Sequence, residues 1–464
     1  MITAHDRARP ASTFALRGAA LTLHDDPFVV GDAAAIRHET DALIAIREGR
    51  IVAFGPYDML KPTLPDDVPI TQYRDALIVP GFIDTHVHYP QTQIIGAGGK
   101  RLIDWLNTTT FPAEMQFADK RHAREVADVY LDACLSHGTT TAVVYCTVHP
   151  HSVDAFFEAA DARGLRMIAG KTLMDRHAPE ALLDTAQRGY DESRALIERW
   201  RDRGRLGYAV TPRFAASSTP AQLELAGALL AEFPHTWCQT HIAEQRDEVE
   251  WVAKLYPERR DYLDVYDHYG LIGPRTLLGH GIHLCEREWQ RCREAGATIA
   301  HCPTSNAFLG SGLFDWSRAK KQGHEVSVAL ATDVGAGTTL SMLATMGSAY
   351  QVAQLGGHRL TPVQALYLTT RGAARGLQLE DTIGSIAPGI EADLVVLDLA
   401  HSPLARLRMK WCESIEDALF MLMTLGDDRA IREVYVMGEP TKLQSFNARQ
   451  STPARSSPRR SAPG

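Results

Sequence analysis

Pro80-Gly-Phe-Ile-Asp-Thr-His-Val-His88 is the stretch on which the reading of this chain turns. An apolar run ends in two histidines one residue apart. Alternate side chains of an extended strand point the same way, so His86 and His88 present two imidazoles to one ion. A lone histidine is most often a packed core or surface residue. A His-x-His that closes an apolar strand is more specific for a pair of metal ligands, and it calls for partners elsewhere in the chain.

Outward from this motif, short apolar runs recur at 78–84, 140–145, 166–171, 206–210, 236–241, 276–280, 298–301 and 326–333. Amphipathic stretches with helical period lie between several of them, at 119–135, 152–163, 180–201 and 220–233. Buried strands alternating with helices indicate parallel βα units, and eight of them indicate a closed (β/α)8 TIM-like barrel. An open doubly wound sheet is the competing arrangement, and periodicity alone does not separate the two. The polar residues do. His86 and His88 end the first run, Arg213 follows the fourth, and His241, His280 and Asp333 end the fifth, sixth and eighth. A barrel collects its chemistry where the strands end, so one active centre accounts for all six.

The ends of the chain have a different texture. Residues 14–23 and 42–54 alternate as strands, the second broken by Glu48-Gly49-Arg50 into a hairpin. Near the other end, residues 384–393 lead into a strand at 394–397, and 431–437 is a further strand. The expected organisation is a small β-sandwich domain formed from both termini, 1–75 and 384–445, around a metal-dependent barrel over 76–383. Residues 446–464, rich in Ser, Pro and Arg, are expected to be disordered.

Composition bounds the function classes. Hydrophobic residues at 45% and charged residues at 22% fit a globular protein, and a formal charge of −8 offers no electrostatic footprint for nucleic acid or an anionic membrane. The seven cysteines are scattered and never spaced Cys-x-x-Cys, which argues against a disulfide framework or a zinc ribbon. The first twenty residues hold no signal-like apolar stretch, and no run is long enough to span a bilayer. A reduced cytoplasmic protein without a membrane partner is expected.

The order His-x-His, His, His, Asp along eight βα units resembles the amidohydrolase superfamily over roughly residues 78–398. The resemblance implies His86, His88, His241 and Asp333 as metal ligands, with His280 beside the water that the ion binds. Binuclear members bridge two ions with a carboxylated lysine, for which Lys171 is the candidate. Against it, His241-x-x-Glu244 is the spacing of mononuclear deaminases, so one divalent ion is expected and Lys171 is read as an ordinary strand-end residue. Three nitrogens and one oxygen suit zinc, with iron as the other candidate. Catalysis is then assigned to Glu244, His280 and Asp333. Glu244 moves protons, while His280 and Asp333 orient the nucleophile. The plainer alternative for Glu244 is an exposed residue at the start of an acidic helix over 244–251.

Further segments narrow the substrate. His88-Tyr-Pro-Gln91, Thr110-Phe-Pro-Ala-Glu114, Thr211-Pro-Arg-Phe214 and Ala300-His-Cys-Pro-Thr-Ser-Asn306 are similar, in the same order, to the superfamily members that deaminate guanine. This implies hydrolytic deamination of guanine to xanthine, a small-molecule purine as partner, and a homodimer. The expected substrate contacts are His88, Gln91, Arg213, Phe214, His241, Glu244 and Asp333. Arg213 can donate in a planar fork to acceptors on the purine edge, Gln91 can donate and accept, and Phe214 offers a face for stacking. Such a wall disfavours adenine, whose edge would leave buried donors unmatched. The alternatives are an aminohydrolase of triazines, pterins or another purine, and a non-catalytic binding protein of the same fold.

Overall fold

The computed structural model describes residues 13–98 and 101–441. The disorder expected at 446–464 and most of the leader reading lie outside the described residues. In chain order the first strands are β1 (Phe14–Leu23), β2 (Ile36–Arg47), β3 (Arg50–Pro56), β4 (Ile70–Pro80), β5 (Phe82–His88), β6 (Thr139–Tyr145), β7 (Arg166–Gly170) and the two-residue β8 (Thr172–Leu173). Then come β9 (Gly207–Pro212), β10 (Trp237–Ile242), β11 (Thr276–His280), β12 (Thr298–His301), β13 (Ser327–Leu330), β14 (Leu394–Asp398), β15 (Ile431–Val436) and β16 (Glu439–Pro440).

The terminal strands form one seven-stranded mixed sheet in the order β16-β15-β14-β4-β1-β2-β3. The β2–β3 hairpin turns at Glu48 and Gly49, both at positive φ (52° and 76°), which suits the twist of the flanking strands. Leu16, Ile44, Ile46, Ile78, Leu394 and Val396 pack together on one face of this sheet.

The eight long strands between run parallel in the order β5-β6-β7-β9-β10-β11-β12-β13, with β8 added beside β9. Beyond β13 the chain returns to β5. The N–H of Asp333 donates to the carbonyl of His86 and the N–H of His88 to that of Val334, both at 2.9 Å, closing the barrel. Ile83, Val143, Ile168, Ala209, Trp237, Leu277 and Ala329 meet inside it, so the interior is a packed core rather than a pore.

One expected strand is divided. The run at 78–84 spans two sheets: the N–H of Gly81 bonds the carbonyl of Asp393 (2.8 Å) and that of Phe82 bonds Gly138 (3.0 Å). Both sides of the crossing are buried, so hydrophobicity shows no break there. The helix expected from residue 180 begins at Ala186, because the Thr185 side chain accepts the N–H of Arg188 and caps it. The small sheet is fastened to the barrel by buried ion pairs. Arg166 reaches Glu391 at 2.7 Å, and Arg205 reaches Glu391 at 2.9 Å and also pairs with Asp393. Among the described residues, no helix is long and apolar enough to cross a membrane.

Candidate active site

The four expected ligands meet at the C-terminal mouth of the barrel. One ligand atom from each of His86, His88, His241 and Asp333 lies within 4.8 Å of the others. His86 and His88 share a face of β5, while Val87 between them packs in the outer hydrophobic shell. Gly279 makes room for this arrangement, since a Cβ there would stand 2.6 Å from Cε1 of His86. His88 Nε2 and His241 Nε2 face each other at 3.1 Å, and Asp333 Oδ1 lies 3.4 Å from Nε2 of both His86 and His88. Neither ring nitrogen of the buried His86 has a hydrogen-bond partner among the described residues. Buried polar atoms left without partners are costly, and an ion at their convergence satisfies them. Burial holds the imidazoles of His88 and His241 well below the usual pKa, so they are neutral, the form in which imidazole binds a cation. Burial works against the Asp333 carboxylate, yet His86 beside it, with His280 and His241, brings it down to about 2. The donor set therefore fits a divalent metal ion.

Beside the cluster stands a group suited to proton transfer. His280 Nε2 lies 3.4 Å from Glu244 Oε2 and 3.8 Å from Asp333 Oδ2, and its Nδ1 is bound to Asn306 Oδ1 at 2.9 Å. Burial pushes the Glu244 carboxyl up to about 7; Glu248 and Asp333 add to this and His280 opposes it. Burial acts to lower the pKa of His280, but Glu244 and Asp333 raise it above the ordinary value. Ala243, His280 and Asp333 all have left-handed backbone, with φ of 47°, 74° and 49°. Such conformations cost of order 1–3 kcal/mol each and gather where side chains are aimed for function. Glu244 is buried, at 3% exposed, and the following helix begins only at Arg246, so the exposed helix-start alternative fails.

The same cleft is also lined by Gln91, Arg213 and Phe214. Arg213 Nη1 donates to both oxygens of Glu114, at 2.8 and 3.0 Å, and Gln91 Nε2 donates to Glu114 Oε1 at 3.0 Å. Phe214 meets Trp251 edge-on, ring centroids 5.9 Å apart, and still lines the cleft. Trp105, Leu106 and Leu309 supply apolar surface. Lys171 is turned away into an ion-pair group of its own, bound to Asp184 and 3.3 Å from Glu192.

All eight substrate and catalytic candidates thus border one cleft, with His86 in the ligand cluster beside them. The residues that sequence reasoning left without roles are their supports. Glu114 and Asn306 sit inside segments quoted for their similarity, but nothing local in those segments says what they hold. Glu248 is the third residue of the helix that begins at Arg246, and Ser311, 3.1 Å from Glu244, is a loop serine. Neither carries a signal in sequence. Cys302 is a further donor, its thiol within the same 4.8 Å span of His86, His280 and Asp333.

A (β/α)8 barrel that gathers imidazoles and carboxylates at its C-terminal mouth is the fold and site of a metal-dependent hydrolase. Comparison gives the family: the profile of the amidohydrolase family matches residues 77–441, and the chain belongs to that family. A guanine deaminase of Escherichia coli is 50% identical over 406 residues, covering 88% of this chain and 92% of its own. The structure of E. coli guanine deaminase superposes with a TM-score of 0.90 at 48% identity, covering 92% of this chain and 99% of that one. A guanine deaminase of C. acetobutylicum, solved with guanine in its active site, gives a TM-score of 0.83 at 27% identity, covering 92% and 100%.

Proposed function

We infer that this protein is a guanine deaminase, converting guanine and water to xanthine and ammonia. The observation that carries the reading is that one cleft is lined both by Glu244, a buried carboxylate suited to proton transfer, and by Gln91 and Arg213, which can read a purine edge. That cleft lies in a chain half identical to a guanine deaminase.

Arg213 and Gln91 hold the purine edge through directed hydrogen bonds, and Phe214 supports its face. A divalent cation held by His86, His88, His241 and Asp333 would acidify water and supply hydroxide near neutrality. Glu244 takes the proton of the attacking water as oxygen bonds to C2, and delivers it to the neighbouring ring nitrogen. It then takes the proton of the new C2 hydroxyl and passes it to the amino group, so the C–N bond breaks, ammonia leaves and the C2 carbonyl forms. A carboxyl raised to about 7 is matched to both tasks, since it gives and takes protons near neutral pH. His280, held by Asn306, and the ionised Asp333 orient the attacking oxygen beside it.

Finer parts of the reading rest on the donor set and the family likeness. We take one ion, zinc before iron, because Lys171 is engaged by Asp184 and Glu192 rather than by the histidine cluster. A homodimer in the cytoplasm completes it. The test is ammonia release from guanine by metal-replete protein, run beside other purines, pterins and triazines. Turnover of a triazine or pterin with none of guanine would overturn the assignment.

A further inference from the structure

We propose that Glu114 is the residue that sets specificity in the purine-edge wall: it locks Gln91 and Arg213 in place and cancels the arginine's charge, so the wall holds the neutral substrate and releases the anionic product. The proposal rests on guanine as the substrate.

Glu114, Gln91 and Arg213 are 1%, 2% and 3% exposed, so their mutual contacts are not screened by water. A carboxylate can only accept hydrogen bonds. It therefore dictates that the NH2 group of Gln91 faces Glu114, which leaves the amide oxygen to take the N–H of Gly335 at 3.3 Å. The amide is fixed at both ends, and its orientation defines which purine edge it reads. On Arg213 a single nitrogen, Nη1, is taken up by Glu114, leaving the remaining donors of the fork for a ligand. The Phe111 ring lies 5.6 Å from that guanidinium and completes its packing. One acid thus orients both recognition side chains.

Charge gives the second consequence. Guanine is neutral, and the reaction replaces its amino group by a carbonyl. Xanthine is a stronger N–H acid than guanine and is partly anionic near neutrality. A buried arginine without a counter-charge would bind that anion through charge-assisted hydrogen bonds, which are about twice as strong as neutral ones. With Glu114 against it, the guanidinium carries no net charge into the wall. The neutral substrate has less to lose by this than the product anion, which gains no extra hold from an uncompensated charge.

Two variants of the metal-replete full chain separate the claims. Glu114→Gln keeps the shape and removes the charge; Glu114→Asp keeps the charge and shortens the reach. Metal content, kcat and KM for guanine, and inhibition by xanthine and by neutral hypoxanthine are measured at a pH where xanthine is largely anionic. In Glu114→Gln, xanthine should tighten relative to hypoxanthine by about tenfold, the size of one charge-assisted hydrogen bond. In Glu114→Asp that ratio should stay at the parent's value, while kcat/KM for guanine falls by about tenfold, mainly through KM, with metal retained. A parental ratio in Glu114→Gln overturns the charge claim, and parental guanine kinetics in Glu114→Asp overturn the positioning claim. Should Glu114→Gln not fold, Glu114→Asp decides both, because a shifted ratio there also overturns the charge claim. If the parent protein releases no ammonia from guanine, the substrate reading has failed instead, and the ratio is then read from equilibrium binding of xanthine and hypoxanthine.

Discussion

The carboxylate of Glu248 accepts the backbone N–H of Glu244 at 2.8 Å and that of Gln245 at 3.1 Å, while Tyr262 donates to its other oxygen at 2.6 Å. One buried acid thus pins the backbone of another, and the Glu244 side chain can be altered without releasing its support. Glu244→Gln is expected to keep its metal and to bind guanine, yet to lose about 10²–10⁴ in turnover, the usual worth of a positioned acid–base group. Metal content, guanine affinity and a single-turnover rate on one preparation check this. A rate within a fewfold of the parent's would remove Glu244 from the proton path.

The metal cluster makes a separate prediction. His86→Ala and His241→Ala should each lose the ion and the activity together, because each takes one donor from a set of four. Chelation of the parent protein should abolish turnover, and returning a divalent ion should restore it. Metal analysis of the purified variants is the measurement. Full occupancy in both would show that the ligands are misassigned.

Arg213→Ala tests recognition apart from chemistry. The metal should stay, since Arg213 contributes no ligand atom, while guanine kcat/KM falls. Loss of a charged donor facing a buried acceptor costs about 1.5–3 kcal/mol, roughly ten- to a hundredfold or beyond. Gln91→Ala should show a milder loss of the same kind. Unchanged guanine kinetics in the Arg213 variant would count against the substrate assignment.

Asn306 acts through His280. Its Oδ1 takes the Nδ1 proton at 2.9 Å and so leaves Nε2 facing Glu244 and Asp333. Asn306→Ala should lower kcat by about 10–100-fold, the usual effect of losing a group that orients an active-site histidine. Metal content should hold. A parental kcat would mean that the ring keeps its orientation without Asn306.

Far from the cleft, Arg205 pairs with two buried carboxylates where the small sheet meets the barrel: Asp393, and Glu391, which it shares with Arg166. Removing one partner of a buried pair leaves uncompensated charge, at a cost of about 3–5 kcal/mol. Arg205→Met should therefore lower the denaturant midpoint strongly while leaving guanine turnover per folded molecule unchanged. An unshifted midpoint would show that water reaches the freed acids.

By itself the sequence determined the barrel, and with the family resemblance it named His86, His88, His241 and Asp333 as candidate ligands and Glu244 as the candidate acid–base residue. Each is written locally. A strand with period two aims His86 and His88 together, and His241, His280 and Asp333 each close an apolar run, so short windows mark each candidate while their order along eight βα units carries the resemblance. Tertiary structure alone decided what holds these residues in place. Glu114 meets Arg213 across 99 positions of sequence, and Ser311 meets Glu244 across 67. Neither separation leaves any periodicity to read. The same holds where β4 passes into β5: residues 78–83 are apolar throughout because both sheets bury them, and only the partners of the Gly81 and Phe82 N–H groups mark the crossing. A pattern of hydrophobicity records whether a residue is buried, whereas the identity of its neighbours is settled only when distant strands close into a ring.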